Sequence, residues 1–292
     1  MFRGSCVALA TPFNADQSVN LERIRELVEW HIASGTQAIV LCGSTGEAPT
    51  LCDEETLAIF AAGVEAACGR IPIIAGTGGY DTRHVVSLTE QAKELGVDGA
   101  LVVEPYYVRP HPEGCFLHFQ KICAVGLPVI FYHNPWRTGI NLPVSQLARI
   151  CTLPNLAAVK EASGNLDYTL ELMSQIEVPV YGGDDTLALP MMAVGAVGVI
   201  SIVANVIPEE WQQFNALMLS GDLSAGRSLF HKLYPLIKAM VLETNPQCVK
   251  YALSLLGKCT STMRLPLIEP QEPTRARIAQ ALEVVCLNAS GG

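Results

Sequence analysis

Lys160 closes the apolar run Leu156-Ala157-Ala158-Val159-Lys160. A lysine at the end of a strand-like segment, aimed at an interior, is suited to present a neutral amine that attacks a carbonyl. An unperturbed lysine, with a pKa of roughly 10.4, is only about one part in a thousand neutral near pH 7.4. Desolvation that brought the value down to about 7.4 would leave half of the amine nucleophilic, an effect of roughly 4 kcal/mol. Strand alternation sends Leu156, Ala158 and Lys160 to one face and Ala157, Val159 and Glu161 to the other, so Glu161 does not pair with an inward Lys160. Taken alone, such a lysine more often snorkels from a rim. Its companions reverse that reading.

Two further polar clusters follow strand-like runs: Gly43-Ser44-Thr45-Gly46-Glu47 and Tyr132-His133-Asn134-Pro135-Trp136-Arg137-Thr138-Gly139. A phenol at Tyr132 can shuttle protons while a carbinolamine dehydrates to an imine. Ser44 and Thr45 can hold a carboxylate through hydroxyls and turn amides, with Gly43 and Gly46 permitting the tight backbone. Arg137 offers a planar fork for a second carboxylate. Each has a plainer reading (a rim tyrosine, a turn, a surface ion pair), and only the set points to imine chemistry. The six histidines show no metal-ligand spacing, His133 is read as a loop or supporting residue, and Asp184 and Asp185 as loop caps. Ser44 lies in no GxSxG elbow. No metal is expected.

The elements that must position these residues alternate along the chain. Short apolar runs recur at Cys6–Ala10, Ala38–Leu41, Ile71–Ala75, Ala100–Val103, Val129–Tyr132, Leu156–Lys160, Val178–Tyr181 and Val197–Ser201. Between them lie stretches of helical spacing, such as Leu21, Ile24, Leu27, Val28 and Ile32, or Thr56, Ile59, Phe60 and Val64 behind the acidic turn Asp53-Glu54-Glu55. Near-continuous apolar strands imply a covered parallel sheet, and eight strand–helix units close a (β/α)8 TIM barrel. A doubly wound sheet lacks support, because no strand–GxGxxG–helix unit is present. After about Glu209 the strand pattern stops. Leu223–Leu242, Gln247–Leu256 and Pro273–Val285 read as a C-terminal helical extension, giving a catalytic barrel over 1–222 and a helical region over 223–292.

Composition narrows the class. The 292 residues are 50 % hydrophobic and only 16 % charged, which suits a globular chain with a large core. A net charge of −9 without a basic cluster argues against nucleic-acid binding. Ten cysteines without a CxxC pair read as reduced thiols of a cytoplasmic protein. The uncharged stretch Leu187–Ile207 is long enough to span a bilayer, but Pro190, Gly195, Gly198 and Asn205 interrupt it and acidic residues flank it. No membrane span is expected.

The ordered set closely resembles the dihydrodipicolinate synthases, within the N-acetylneuraminate lyase superfamily of pyruvate-dependent aldolases. The likeness runs from Thr11-Pro12-Phe13 through Ala75-Gly76-Thr77-Gly78 and Gly183-Asp184-Asp185 to Arg264-Leu265-Pro266-Leu267. Pro105-Tyr106-Tyr107 and Arg137-Thr138-Gly139 favour the synthases over sialic-acid or 2-keto-3-deoxy sugar-acid lyases, which stand as the nearest alternative. A non-catalytic barrel that senses a keto acid is the alternative of another class. The resemblance implies condensation of pyruvate with L-aspartate-4-semialdehyde through an imine on Lys160, without a cofactor. It further implies a proton relay of Tyr132, Ser44 and Tyr107, with Tyr107 reaching a neighbouring subunit. Thr45 would hold the pyruvate carboxylate, Arg137 that of the semialdehyde, and backbone at Gly183 and Ile200 would line the pocket. Such enzymes are usually homotetramers, dimers of tight dimers.

Several positions depart from the family pattern: Ser44 replaces threonine, Glu104 a small hydroxyl residue, His133-Asn134 an Asn-aliphatic pair, and Gln247-Cys248 an aliphatic-proline pair. Lysine-inhibited relatives also use polar groups in the segments matching 48–56 and 80–84. This chain lacks the expected carboxylate at His84, so weak or absent lysine feedback is expected.

Overall fold

β-branched and small apolar residues fill eight short strands, and each strand is followed by at least one helix. The computed structural model describes residues 2–289. The order is β1 (Gly4–Ala8), α1 (Leu21–Ala33), β2 (Ala38–Leu41), α2 (Asp53–Ala67), β3 (Ile73–Gly76), α3 (Thr82–Glu94), β4 (Gly99–Val103) and α4 (Pro112–Cys123). Then come β5 (Val129–His133), α5 (Pro135–Thr138), α6 (Val144–Cys151), β6 (Leu156–Glu161), α7 (Leu166–Met173), β7 (Val180–Gly182), α8 (Ala188–Ala193) and β8 (Gly198–Ser201). Finally come α9 (Pro208–Leu219), α10 (Leu223–Ala239), α11 (Gln247–Leu255) and α12 (Glu272–Ala289). The strands form a closed parallel barrel in sequence order, with β1 pairing β8. This is the expected (β/α)8 barrel with C-terminal helices.

Closure depends on one small residue. A Cβ at Gly198 would lie 2.1 Å from the Gly4 carbonyl oxygen, so only glycine lets β8 approach β1. The pleat then sorts side chains into two layers. Cys6, Ala8, Val40, Ile74, Leu101, Ile130, Ala158 and Ile200 pack inside the barrel. Their neighbours Val7, Ile39, Ile73, Val102, Phe131, Val159 and Val199 join the larger core beneath the helices.

Helix α1 begins where the Asn20 side chain accepts from the Arg23 amide at 2.8 Å, and it buries Ile24, Leu27, Val28 and His31. The anticipated stripe on α2 buries Thr56, Ile59 and Phe60. Ala38–Leu41 matches the expected strand at both ends, and no other strand limit differs from expectation by more than two residues. β1 ends at Ala8, because Ala10 N–H donates to Asn205 Oδ1 at 3.0 Å and thereby leaves the sheet. The stretch Leu187–Ile207 divides into α8, β8 and a 3₁₀ turn at Val203–Asn205. Among the described residues no helix is long and apolar enough to cross a membrane.

Candidate active site

Lys160 lies at the carboxyl end of β6, 4 % exposed, with its amine inside the barrel. Glu161 turns to the opposite face, where its carboxylate accepts from the Ser163 amide at 2.7 Å and the Thr169 hydroxyl at 2.8 Å. The other two buried rim glutamates are also engaged elsewhere: Glu47 with Lys250 and Glu104 with His133. The Lys160 amine is therefore dry without an ion-pair partner among these carboxylates. Burial pushes the neighbouring Cys6 thiol far up, with the Lys160 charge opposing. That thiol stays protonated and inert.

Strand register supplies the companion. Tyr132 is the direct cross-strand partner of Lys160 in the β5–β6 pair, and a shift between Val129 and Ile130 sets that alignment. Lys160 Nζ sits 4.3 Å from the centroid of the Tyr132 ring. The phenol oxygen accepts from Asn134 Nδ2 at 2.7 Å, which leaves its own proton free to be donated elsewhere.

The loop after β2 holds the next group. Gly43 C=O accepts from the Gly46 and Ala48 amides, and Thr11 Oγ1 donates to Gly46 C=O at 2.7 Å. These bonds fold Gly43–Glu47 into a tight turn. Thr45 is buried there, and its hydroxyl accepts from Asn245 Nδ2 at 3.0 Å. Ser44 is half-buried on the same turn; among the described residues no hydrogen bond joins it to Tyr132. Arg137 stands exposed on α5, and its Nη2 donates to the Asn245 carbonyl at 3.1 Å. One residue between α10 and α11 thus touches both candidate carboxylate binders.

Gly183 follows β7, and its amide donates to Glu161 C=O at 2.7 Å. A Cβ there would lie 2.7 Å from Ala162 Cβ and 3.0 Å from Lys160 Cε, so glycine is what lets the lysine side chain pass. Ile200 is fully buried on the inner face of β8. Tyr107 stands apart from this group within one chain: its residue has φ +69° and is 90 % exposed. Asp184 caps its loop through Thr186, and Asp185 accepts from the Ile202 and Val203 amides at 2.9 and 2.8 Å.

Sequence reasoning passed over Asn245, Lys250 and the supporting role of Glu104. Asn245 lies in a stretch that reads only as a helix separator. A lysine in the apolar face of α11 was the available signal for Lys250, whose ammonium meets Glu47 at 2.7 Å with both side chains fully buried.

Comparison with known proteins adds independent information. A family model described as the dihydrodipicolinate synthetase family matches residues 1–285. A 4-hydroxy-tetrahydrodipicolinate synthase of Trichlorobacter lovleyi is 43 % identical over 281 residues, covering 95 % of this chain and 97 % of that protein. A dihydrodipicolinate synthase of Aquifex aeolicus superposes with a TM-score of 0.94 at 41 % identity, covering 97 % of each chain. The chloride-inhibited enzyme of Acinetobacter baumannii, complexed with pyruvate, gives a TM-score of 0.96 at 38 % identity, covering 98 % of this chain and 99 % of that one.

Proposed function

Because this chain belongs to the dihydrodipicolinate synthetase family, we propose that Lys160 is the imine-forming residue of a Schiff-base carbon–carbon lyase. The enzyme condenses pyruvate with L-aspartate-4-semialdehyde to give 4-hydroxy-tetrahydrodipicolinate, a step feeding lysine and diaminopimelate biosynthesis. The supporting observation is the buried Lys160 amine against the face of Tyr132.

The Lys160 nitrogen attacks the pyruvate ketone, and the carbinolamine loses water to an imine as protons move through Tyr132. Loss of a methyl proton gives an enamine, whose carbon bonds to the semialdehyde aldehyde. The amino group of that adduct then attacks the imine carbon, closing the ring and releasing Lys160. Ser44 and Tyr107 extend the proton relay. Thr45 hydrogen-bonds the pyruvate carboxylate, Arg137 pairs with that of the semialdehyde, and backbone at Gly183 and Ile200 borders the pocket. Tyr107 acts in a neighbouring subunit's site within a homotetramer built from tight dimers; its exposure at a positive-φ turn supports that role. The barrel of residues 1–222 carries the chemistry, and the region 223–292 buttresses it through Asn245 and Lys250. The nine cysteines with described side chains are free thiols, which supports a cytoplasmic enzyme.

Borohydride reduction in the presence of pyruvate tests the central step. A pyruvyl adduct on Lys160, with turnover of the semialdehyde and none of N-acetylneuraminate, is the expected result. No adduct on Lys160 refutes the assignment. Tyr107→Phe is expected to slow turnover while the fold is kept, and unchanged turnover removes Tyr107 from the relay.

A further inference from the structure

Behind the Tyr132 phenol lies a buried polar cluster that the reaction as written does not use. Glu104, at the end of β4, and His133, at the end of β5, are both fully buried, and His133 Nδ1 lies 2.9 Å from Glu104 Oε1. Facing an ionised carboxylate, which only accepts, Nδ1 would be the donor of that contact. The imidazole also stacks on Tyr168, with ring centroids 4.9 Å apart. The second carboxylate oxygen accepts from the Asn134 amide at 3.4 Å and lies 3.3 Å from the Thr138 hydroxyl, whose single proton also has the Asn134 carbonyl within reach at 3.0 Å. Those two residues are the N-cap and the last residue of α5, the one-turn helix that carries Arg137. Glu104 therefore grips both ends of α5 from the neighbouring strand.

Asn134 passes this restraint into the site. Its Oδ1 accepts from the Arg137 amide at 3.2 Å, while its Nδ2 donates to the Tyr132 oxygen at 2.7 Å. The amide orientation is forced, because a backbone N–H can only donate and must face the oxygen. One planar side chain thus fixes the phenol on one side and the Arg137 turn on the other. Glu104 and His133 are also two of the positions where this sequence departs from its family pattern, and here the two departures touch.

We propose that Asn134 is a positioning residue that sets the Tyr132 phenol and the Arg137 turn together, held in place by the buried Glu104–His133 pair. The proposal rests on the functional reading above. By donating to the phenol oxygen, Asn134 leaves the phenolic proton to point away from it, towards the reacting nitrogen. By capping α5, it holds the guanidinium where the second substrate's carboxylate binds.

Two substitutions separate these tasks. Asn134→Ser keeps a hydroxyl that caps α5 but cannot reach the phenol. Asn134→Ala removes both contacts. With the full-length enzyme, Asn134→Ser is expected to lower kcat and the rate of borohydride-trapped imine formation about tenfold. Its KM for the semialdehyde should stay within about twofold of wild type. Asn134→Ala should add an increase of about tenfold in that KM. Glu104→Gln, which faces three donors with one acceptor oxygen, should show both effects. Because it alters a fully buried carboxylate, the Asn134→Ser result decides. Wild-type kcat and trapping rate in Asn134→Ser, or equal KM values in the serine and alanine variants, overturns the proposal. Wild-type enzyme that traps no pyruvate refutes the functional reading instead, so the two failures are distinguishable.

Discussion

Replacing Lys250 with methionine tests the link between the C-terminal helices and the active-site turn. Lys250 Nζ lies 2.7 Å from Glu47 Oε1 and 4.2 Å from the centroid of the Phe13 ring, and both charged side chains are fully buried. The other Glu47 oxygen accepts from the Arg264 amide at 3.1 Å. Burial holds the Lys250 pKa below its ordinary value, with the Glu47 charge acting in the opposite direction. Lys250→Met preserves much of the apolar stem but leaves the Glu47 carboxylate with one amide donor in a dry site. Removing one member of a buried pair costs about 3–5 kcal/mol. At about 2–4 °C per kcal/mol for a large domain, the unfolding midpoint should fall by roughly 10 °C. Adding Glu47→Gln removes the stranded charge and should recover stability to within about 1–3 kcal/mol of wild type, the cost of an unpaired buried amide. Thermal unfolding of the two single variants and the double variant measures the coupling. Glu47 also ends the turn bearing Ser44 and Thr45, so Lys250→Met should raise the KM for pyruvate. A single variant that loses less than about 1 kcal/mol, or a double variant whose loss equals the sum of both singles, refutes the reasoning.

Three further outcomes are expected of the same fold. Burial lowers His31 to about 3 and His118 to about 4, and raises Asp185 to about 6. As pH falls from about 6 towards 4, two unfolded-state histidines take up protons while one folded-state aspartate does so. Stability should therefore decline by about 1.4 kcal/mol per pH unit over that window; denaturant midpoints that hold constant from pH 7 to 5 would exclude this. Gly183→Ala forces a methyl against Ala162 and the Lys160 side chain, at an overpacking cost of about 1–3 kcal/mol. It should lower kcat/KM about tenfold or more in a folded protein, and full activity would show that Lys160 tolerates displacement. At the segments matching the lysine-binding region of inhibited relatives, His84 Nε2 lies 2.9 and 3.1 Å from the two oxygens of Asp53. With that carboxylate already engaged, lysine feedback should be weak or absent, and strong inhibition by submillimolar lysine in a steady-state assay would contradict this.

Local periodicity alone carried much of the molecule. Eight apolar runs, each short and followed by helical spacing, led directly to the closed barrel, because pleat and helical turn act over a few residues. The same alternation put Lys160 and Glu161 on opposite faces. Strand ends were less legible: Ala10 leaves β1 because of a hydrogen bond to Asn205, 195 residues away. No periodicity encodes that partner.

The chemical types at the strand ends, and the faces they occupy, were therefore set by the sequence itself. Which of them meet was decided only by closure. Register across β5 and β6 placed Tyr132 beside Lys160, and return of the C-terminal chain brought Lys250 to Glu47 across 203 residues. Asn134 stands in the sequence only as part of a departure from the family pattern; its two differently partnered amide ends exist only in the fold. Side-chain alternation needs only neighbouring residues, whereas a buried charge or a directed amide is tolerated only where distant chain segments supply its partner.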